Sequence, residues 1–371
     1  MEPLAPHEKV FVDSSFAEDE NHGQLGCEEC HGGNPNDPDW RTAHRGVVRD
    51  PSFPDPSKSC GLCHDDIAEH YKSSLHVSLS PFKKTIETRA NPNKAVYMKV
   101  DTARQVHCTA CHASCGQCHV SRPDSVGGGF LDSHLFQKRP PVHTVCTACH
   151  GSRIEKEYFG KNKGIPPDIH RQKYFKCSRC HKAVEMHGDG GDYANRYEVK
   201  NVPKCLDCHK AIFDTASANA DEHQTHRGKV SCQVCHSMPY KNCSGCHFGK
   251  DNKGLKFYKT ERSWIDFKVG LNPLRSENRP ERFVVVRHVP VDPASFQYYV
   301  KDGLSNFDKL PTWKMATPHN IRRKTPQNSS CNACHGNPKL FLRQEDVKPQ
   351  YLRANRNVVV PLELMPKRIE K

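Results

Sequence analysis

Residues 107–124 read HCTACHASCGQCHVSRPD, and the pattern Cys-x-x-Cys-His occurs twice in immediate succession within them. The pattern occurs ten times in the 371-residue chain and accounts for all 20 cysteines. It is the attachment site of c-type haem, in which both thiols form thioethers with the porphyrin and the adjacent histidine binds the iron. Neither a disulfide framework nor a zinc site requires a histidine after every second cysteine. The sequence therefore predicts ten covalently attached haem c groups.

The motif residues are assigned by their position in the pattern. The predicted haem-attaching cysteines are Cys27, Cys30, Cys60, Cys63, Cys108, Cys111, Cys115, Cys118, Cys146, Cys149, Cys177, Cys180, Cys205, Cys208, Cys232, Cys235, Cys243, Cys246, Cys331 and Cys334. The predicted first axial ligands are His31, His64, His112, His119, His150, His181, His209, His236, His247 and His335.

Histidine is in surplus beyond the motifs. The chain has 24 histidines, whereas about seven are expected at the usual frequency of about 2%. Two histidines per iron fill both axial positions and suit electron transfer. We predict the second ligands to be His44, His76, His107, His134, His143, His170, His187, His226, His288 and His319. This set leaves out His7, His22, His70 and His223. One of the first three is available to reach an adjacent copy of the chain.

The composition predicts a fold whose core is made by the cofactors. Only 35% of the residues are apolar and the mean hydropathy is −0.78, values that resemble those of partly disordered chains. The 27 prolines and 23 glycines interrupt almost every segment between motifs. We expect a mostly irregular chain with short α-helices and a few short strands, elongated around a stacked haem chain. Without haem the chain should be unfolded, as small metal-dependent domains are without their ion.

The spacing of the motifs divides the chain into three parts of one continuous unit. Residues 1–250 form a nine-haem wrapped region, residues 251–330 a haem-free strap with room for a short hairpin, and residues 331–371 the tenth site and an extended tail. Residues 282–289 are predicted to form a strand, and residues 67–74 and 203–213 short helices. The tail is expected to lie along another surface, with a neighbouring subunit as one candidate.

Charge and hydropathy argue against nucleic-acid and membrane-spanning proteins. The formal charge is +13, but ten ferric haems with their propionates contribute about −10, which leaves the oxidised protein near +3 and the reduced protein near −7. No run of basic residues and no RNA or DNA recognition motif occurs. No stretch of 18 apolar residues is present. Because c-type haem is attached outside the cytoplasmic membrane, we expect an exported chain whose signal peptide has been removed.

Residues 107–124, together with 149–153, 168–170 and 187–190, resemble a family of decahaem c-type cytochromes from anaerobic, metal-reducing prokaryotes. The resemblance covers residues 100–250, and elsewhere only the type of motif. It implies bis-histidine haems and an extracellular or cell-surface location, with the periplasm as alternative. It also implies a role as a subunit of a cytochrome nanowire, a filament for extracellular electron transfer in anaerobic respiration. The implied partners are other copies of the chain, redox partner cytochromes and acceptors such as metal oxides.

Two other functions remain open at this point. A monomeric periplasmic or cell-surface shuttle would have the same composition. A multihaem reductase of a nitrogen or sulfur oxyanion keeps one iron open, and some such enzymes replace a motif histidine by lysine. No Cys-x-x-Cys-Lys occurs in this chain. We therefore expect an electron-transfer protein with no catalytic residues.

Overall fold

The computed structural model describes residues 4–108, 113–239 and 267–370. Some predicted site residues, or their side chains, lie outside the described residues: His107, Cys108, Cys111, His112, Cys243, Cys246 and His247. Within the described part the chain is mostly irregular, with short helices and one three-stranded antiparallel sheet. The predicted fold class is confirmed in these terms, while the haem stack stays a prediction.

Helices are short because each motif occupies only about one turn and glycine or proline soon follows. The α-helices are Cys27–His31, Trp40–Ala43, Asp65–His70, Leu75–Ser78, Ser80–Arg89, Lys94–Cys108, Cys115–His119, Cys146–His150, Lys156–Tyr158, Ile169–Gln172, Cys177–Cys180, Ala183–His187, Ala220–His226, Cys232–His236, Cys331–Cys334 and Leu352–Asn355.

Single turns of 3₁₀-helix, and one π-helical turn at Gly151–Glu155, connect many of these helices. The 3₁₀ turns are Ser14–Glu18, Pro56–Lys58, Cys60–Leu62, Tyr71–Ser73, Asp124–Val126, Cys205–Asp207, Lys210–Phe213, Phe307–Lys309, Pro326–Asn328, Pro338–Leu340, Gln344–Asp346, Pro349–Tyr351 and Leu362–Leu364. The two helices predicted at residues 67–74 and 203–213 are thus each divided between shorter elements.

The contacts between residues divide the chain into two units, each built from three segments. The first unit comprises Met1–Phe82, Cys108–Gly151 and Cys177–Val202, and the second comprises Lys83–His107, Ser152–Lys176 and Pro203–Lys371. No helix among the described residues is both long enough and apolar enough to cross a membrane.

Polar hydrogen bonds connect distant segments within the first unit. The hydroxyl of Ser74 donates to the backbone carbonyl of Met186 at 2.6 Å. The hydroxyl of Ser80 donates to the backbone carbonyl of Tyr193, also at 2.6 Å. The hydroxyl of Tyr71 donates to the Pro54 carbonyl at 2.9 Å. Of the buried apolar side chains described for the whole protein, only four lie in this unit: Tyr71, Val120, Val145 and Val199.

The second unit contains the sheet. Strand β1 (Lys268–Leu271) pairs with β2 (Phe283–His288), and β2 pairs with β3 (Trp313–Met315), in both cases antiparallel. Val269 lies opposite Val285, and Val286 lies opposite Met315. Three consecutive valines of β2 are at most 4% exposed, so both faces of this strand are covered. The valine-rich strand predicted at residues 282–289 is present as β2.

An apolar core surrounds this sheet. It consists of Val234, Val269, Val285, Ala316, Phe341 and Val360. The tail takes part, because the Val358 carbonyl accepts from Leu271 N at 2.9 Å and Val360 N donates to the Leu342 carbonyl at 2.8 Å. Val358 and Val360, each 2% exposed, therefore lie against the chain's own sheet. A contact between the tail and a neighbouring subunit stays a prediction.

Candidate haem sites

Each described motif forms a helical turn that brings its three functional side chains together. Cys115–His119, Cys146–His150 and Cys232–His236 are helical over the whole motif. Residues three and four positions apart lie on the same side of a helix, so both thiols and the imidazole share one face. All 16 described motif cysteines are free thiols, and all are half-buried or exposed. They are therefore accessible for thioether formation.

Seven described motif histidines each face a second histidine across a nearly constant distance. The ring centres lie 5.9–6.4 Å apart, and the angle between the two ring planes varies from 18° to 83°. The pairs are His22–His64, His31–His134, His76–His150, His119–His187, His170–His209, His223–His236 and His226–His335.

This distance fits two imidazoles on opposite faces of one iron. A metal–nitrogen bond of about 2.0 Å on each side, and about 1.1 Å from each nitrogen to its ring centre, gives about 6.2 Å between ring centres. Stacked aromatic rings also reach separations up to ~7 Å, but stacking would fix the interplanar angle, which here varies widely. A shared central atom explains a constant distance with variable angles.

The pairs include both predicted and unexpected histidines. Five predicted second ligands face a motif histidine, namely His76, His134, His170, His187 and His226. His22 and His223, which the sequence interpretation left outside the ligand set, also face one. The seven pairs do not include His44, His143, His288 or His319, and the side chain of His107 lies outside the described residues. The role of every histidine as an iron ligand stays a prediction.

The two unexpected histidines differ in how they could have been found. His223 and His226 lie three positions apart in the helix Ala220–His226, and their partners are His236 and His335. The His-x-x-His spacing was a usable signal, since it presents two imidazoles on one helix face. His22 has no such signal. Its ring stacks on Phe136 at 3.9 Å, a contact made only by the folded chain.

Hydrogen bonds between Nδ1 and a backbone carbonyl orient six of the fourteen paired rings and two other histidines. In eight histidines Nδ1 lies 2.7–3.2 Å from a backbone carbonyl oxygen: His31, His44, His119, His223, His226, His236, His319 and His335. A carbonyl only accepts, so Nδ1 must carry the proton and Nε2 is left with its lone pair. This is the tautomer that a metal-bound histidine adopts.

Two histidines have a carboxylate at Nδ1 instead. His170 Nδ1 lies 3.1 Å from Asp168 Oδ1, and His181 Nδ1 lies 2.8 Å from Glu185 Oε2. The hydrogen bond to each carboxylate raises the pKa of its histidine. Burial has the opposite effect on His76, His134 and His187, whose pKa values are lowered. Those three imidazoles are therefore held in the neutral form that binds iron.

His134 occupies a position with an energetic cost. It has φ of 72°, its Nδ1 is buried without a hydrogen bond among the described residues, and its ring contacts Phe16 and Phe130 at 4.9 Å. Such a conformation persists where the surrounding structure or a ligand compensates for it, as an iron bound at Nε2 would. His187 ends its helix without such a cost, because Gly188 takes the left-handed conformation with φ of 94°, where a Cβ would lie 2.4 Å from the His70 carbonyl oxygen.

Cysteines of neighbouring motifs lie near each other. The first cysteines of three motif pairs are neighbours, and the interaction lowers the pKa of one thiol in each pair: Cys60 beside Cys115, Cys177 beside Cys146, and Cys232 beside Cys205. Second cysteines are neighbours as well. Burial raises the pKa of Cys118 and of Cys235 to about 11, and a further contribution comes from the nearby Cys149 and Cys334, respectively.

No protein-family model, curated protein or solved structure matches the chain. Among the described residues, no three His, Cys, Asp or Glu side chains converge on a common point as a protein-only metal site requires. The arrangement that recurs is the two-histidine pair beside a pair of thiols. Its residues fit haem c, with the cysteines attaching the porphyrin and the paired histidines binding its iron from both sides.

Proposed function

We propose that this chain is a decahaem c-type cytochrome that conducts electrons along a series of bis-histidine haems. The observation that carries the proposal is the set of seven histidine pairs with ring centres 5.9–6.4 Å apart, each containing one motif histidine. Bound haem supplies reversible one-electron chemistry at its iron. The protein's part is to fill both axial positions, fix the distances and tune the potentials.

The contacts between motif cysteines support a haem order that follows the sequence. In the first unit, Cys30 neighbours Cys60, Cys60 neighbours Cys115, Cys118 neighbours Cys149, and Cys146 neighbours Cys177. In the second unit, Cys205 neighbours Cys232, and Cys235 neighbours Cys334. Porphyrins attached to adjacent cysteines have their edges close together. Each unit would therefore hold a series of neighbouring haems at its described motifs, while the cysteine side chains of the motifs that start at Cys108 and Cys243 lie outside the described residues.

The ligand geometry favours conduction over chemistry on a substrate. With haem bound, the second imidazole of each of the seven pairs would fill the coordination position that a substrate would need. Carbonyl oxygens hold the rings of His119, His223 and His226 at Nδ1, which keeps Nε2 directed away from the backbone. An electron carrier needs such rigid coordination, because little rearrangement should accompany the change of charge.

Location and assembly are inferred from the cofactor and from the family resemblance. Attachment of c-type haem outside the cytoplasmic membrane favours an exported protein, extracellular or on the cell surface. The resemblance favours a filament that passes electrons between copies of the chain and on to redox partner cytochromes or metal oxides. Negative-stain microscopy of the native material tests assembly. Filaments support the nanowire, whereas single particles at high concentration favour the monomeric shuttle.

Protein-film voltammetry of the haem-loaded protein tests the function itself. We expect reversible signals that account for ten one-electron centres and that do not change when nitrite, hydroxylamine or sulfite is added. A catalytic current with any of these compounds would contradict the proposal and favour the multihaem reductase.

A further inference from the structure

We propose that Asp168 and Glu185 lower the reduction potentials of two particular haems, those attached at Cys205/Cys208 and Cys177/Cys180. This inference rests on the proposed function. Each carboxylate accepts a hydrogen bond from Nδ1 of a ligand histidine, and thus acts on the iron through that ligand. His170, opposite His209, is the ligand beside Asp168, and His181, a motif histidine, is the ligand beside Glu185.

The acceptor at Nδ1 distinguishes His170 and His181 from the other described histidines that have a hydrogen bond there. Eight rings have a backbone carbonyl oxygen at Nδ1, at 2.7–3.2 Å. Only His170 and His181, among the described residues, have a carboxylate at that distance. The distances are similar in the two groups, so the difference lies in the charge of the acceptor.

Asp168 is fixed in position by the backbone. Its side chain is almost fully buried. Its Oδ1 accepts from His170 N at 2.7 Å, and its Oδ2 accepts from Ile321 N at 2.6 Å. Backbone N–H donors stabilise the ionised form of a carboxylate. The negative charge beside the His170 ring is therefore held at a defined place, and little water can screen it.

Glu185 reaches back from its helix to a histidine that precedes the helix. It lies four positions after His181, in the helix Ala183–His187, and Oε2 is 2.8 Å from Nδ1. Its side chain is 14% exposed, so screening by solvent is limited here as well.

A charged acceptor at Nδ1 makes the imidazole a stronger electron donor to the metal. Second-shell carboxylates raise ligand basicity in this way, and hydrogen bonds to charged groups are about twice as strong as neutral ones. A more basic ligand stabilises ferric over ferrous iron and lowers the reduction potential. The affected haems are attached at consecutive described motifs, which start at Cys177 and Cys205. The lowest potentials should therefore fall in the middle of the sequence order.

Isosteric substitutions test the two residues. Asp168→Asn and Glu185→Gln remove the charge, while the amide oxygen can still accept from Nδ1. The haem-loaded variants are titrated potentiometrically, and EPR of the ferric state is followed at each potential. In each variant we expect one haem to become easier to reduce by about tenfold, which is about 59 mV for one electron, and the g-values of that haem to shift.

Asp189→Asn is the matched control. Its carboxylate accepts from the Tyr193 hydroxyl at 2.8 Å and from Asn201, neither of which is a ligand, so the titration should be that of the unchanged protein. Should Asp168→Asn fail to fold, Glu185→Gln carries the test. Unchanged potentials and g-values in Glu185→Gln, with all irons low-spin, would overturn the inference but leave the proposed function intact. Absence of haem, or high-spin irons in the unchanged protein, would instead overturn the proposed function.

Discussion

Each of the two units of the molecule is stabilised internally, and the interactions that stabilise them differ. The first contains five described motifs but only four of the buried apolar side chains, and hydrogen bonds such as Ser74 to Met186 connect its segments. The second contains three described motifs, the sheet, and the apolar core around Val285 and Phe341. A chain can thus combine a part that depends on cofactors for its interior with a part that has an interior of its own.

The difference follows from how the apolar residues are distributed. Nine of the 18 exposed large hydrophobic side chains described lie within residues 10–62, in the first unit. Such side chains are costly in water unless something covers them, and porphyrins attached at Cys27 and Cys60 would supply apolar surface there. In the second unit, Val284, Val285 and Val286 are covered by protein alone.

Removal of all haems should have the largest effect on the structure, and it should affect the first unit much more than the second. Chain produced without haem attachment should lose amide protection throughout the first unit, since few of its side chains bury each other. Strands β1 and β2 should retain slowly exchanging amides because their core is made of protein side chains, although the composition alone predicts that the whole haem-free chain is unfolded. Hydrogen exchange with mass spectrometry, on haem-free and haem-loaded protein, measures both. Equal protection of the two units in the haem-free chain would contradict the comparison.

Truncation of the apolar core should strongly destabilise the second unit. Phe341 is 2% exposed and contacts Phe283 edge-on. Phe341→Ala should lower the free energy of unfolding of this unit by about 3–5 kcal/mol, through lost burial and the cavity left behind. Chemical denaturation of the haem-loaded protein is followed by tryptophan fluorescence in a Trp40→Phe, Trp264→Phe background, so that the signal comes from Trp313 in β3.

Leu362→Ala is the control for this substitution, since Leu362 is 73% exposed in the same unit. It should change the free energy of unfolding by less than about 0.5 kcal/mol. A similar small change for Phe341→Ala would show that the second unit also relies on cofactors for its core.

Removal of one facing histidine should open one iron. His187→Ala leaves His119 without its partner, so one ferric haem should become high-spin in the EPR spectrum of the oxidised protein. His223→Ala should do the same at His236 in the second unit. Because the first unit depends on its haems, we expect His187→Ala to lower its thermal stability more than His223→Ala lowers that of the second.

His70→Ala serves as the control for both histidine variants. The His70 side chain is exposed and belongs to none of the seven pairs, and its substitution should leave every iron low-spin. If His187→Ala were low-spin throughout, His187 would not be the ligand opposite His119.

A single polar substitution should have the smallest effect. Ser74 is 2% exposed, and its hydroxyl donates to the Met186 carbonyl. Ser74→Ala leaves that carbonyl without this donor and should destabilise the first unit by about 1 kcal/mol. Thermal unfolding followed at the haem absorbance of the first unit measures it. No change would show that cofactor burial, rather than hydrogen bonding between segments, dominates this unit.

The sequence predicts what depends on local spacing. The motif turns, the strand β2 at Phe283–His288 and the largely irregular chain follow from neighbouring residues. The positions of β1 and β3 did not, because their three or four residues carry no pattern until β2 pairs with them. Val358 and Val360 were recognised as extended, but their burial against Leu271 and Leu342 depends on tertiary packing.

The same limit applies to the second ligands. His170 and His187 lie in recognisable local contexts, and the structure places them opposite motif histidines. His22 faces His64, 42 positions further along the chain, and only the fold sets that distance.

EPR of the fully oxidised, haem-loaded protein tests the central claim most directly, namely that paired histidines close both faces of the irons. The account predicts low-spin ferric signals alone, whose integrated intensity corresponds to ten haems. A high-spin signal in the unmodified protein, arising from an iron that binds water or an anion, would contradict it.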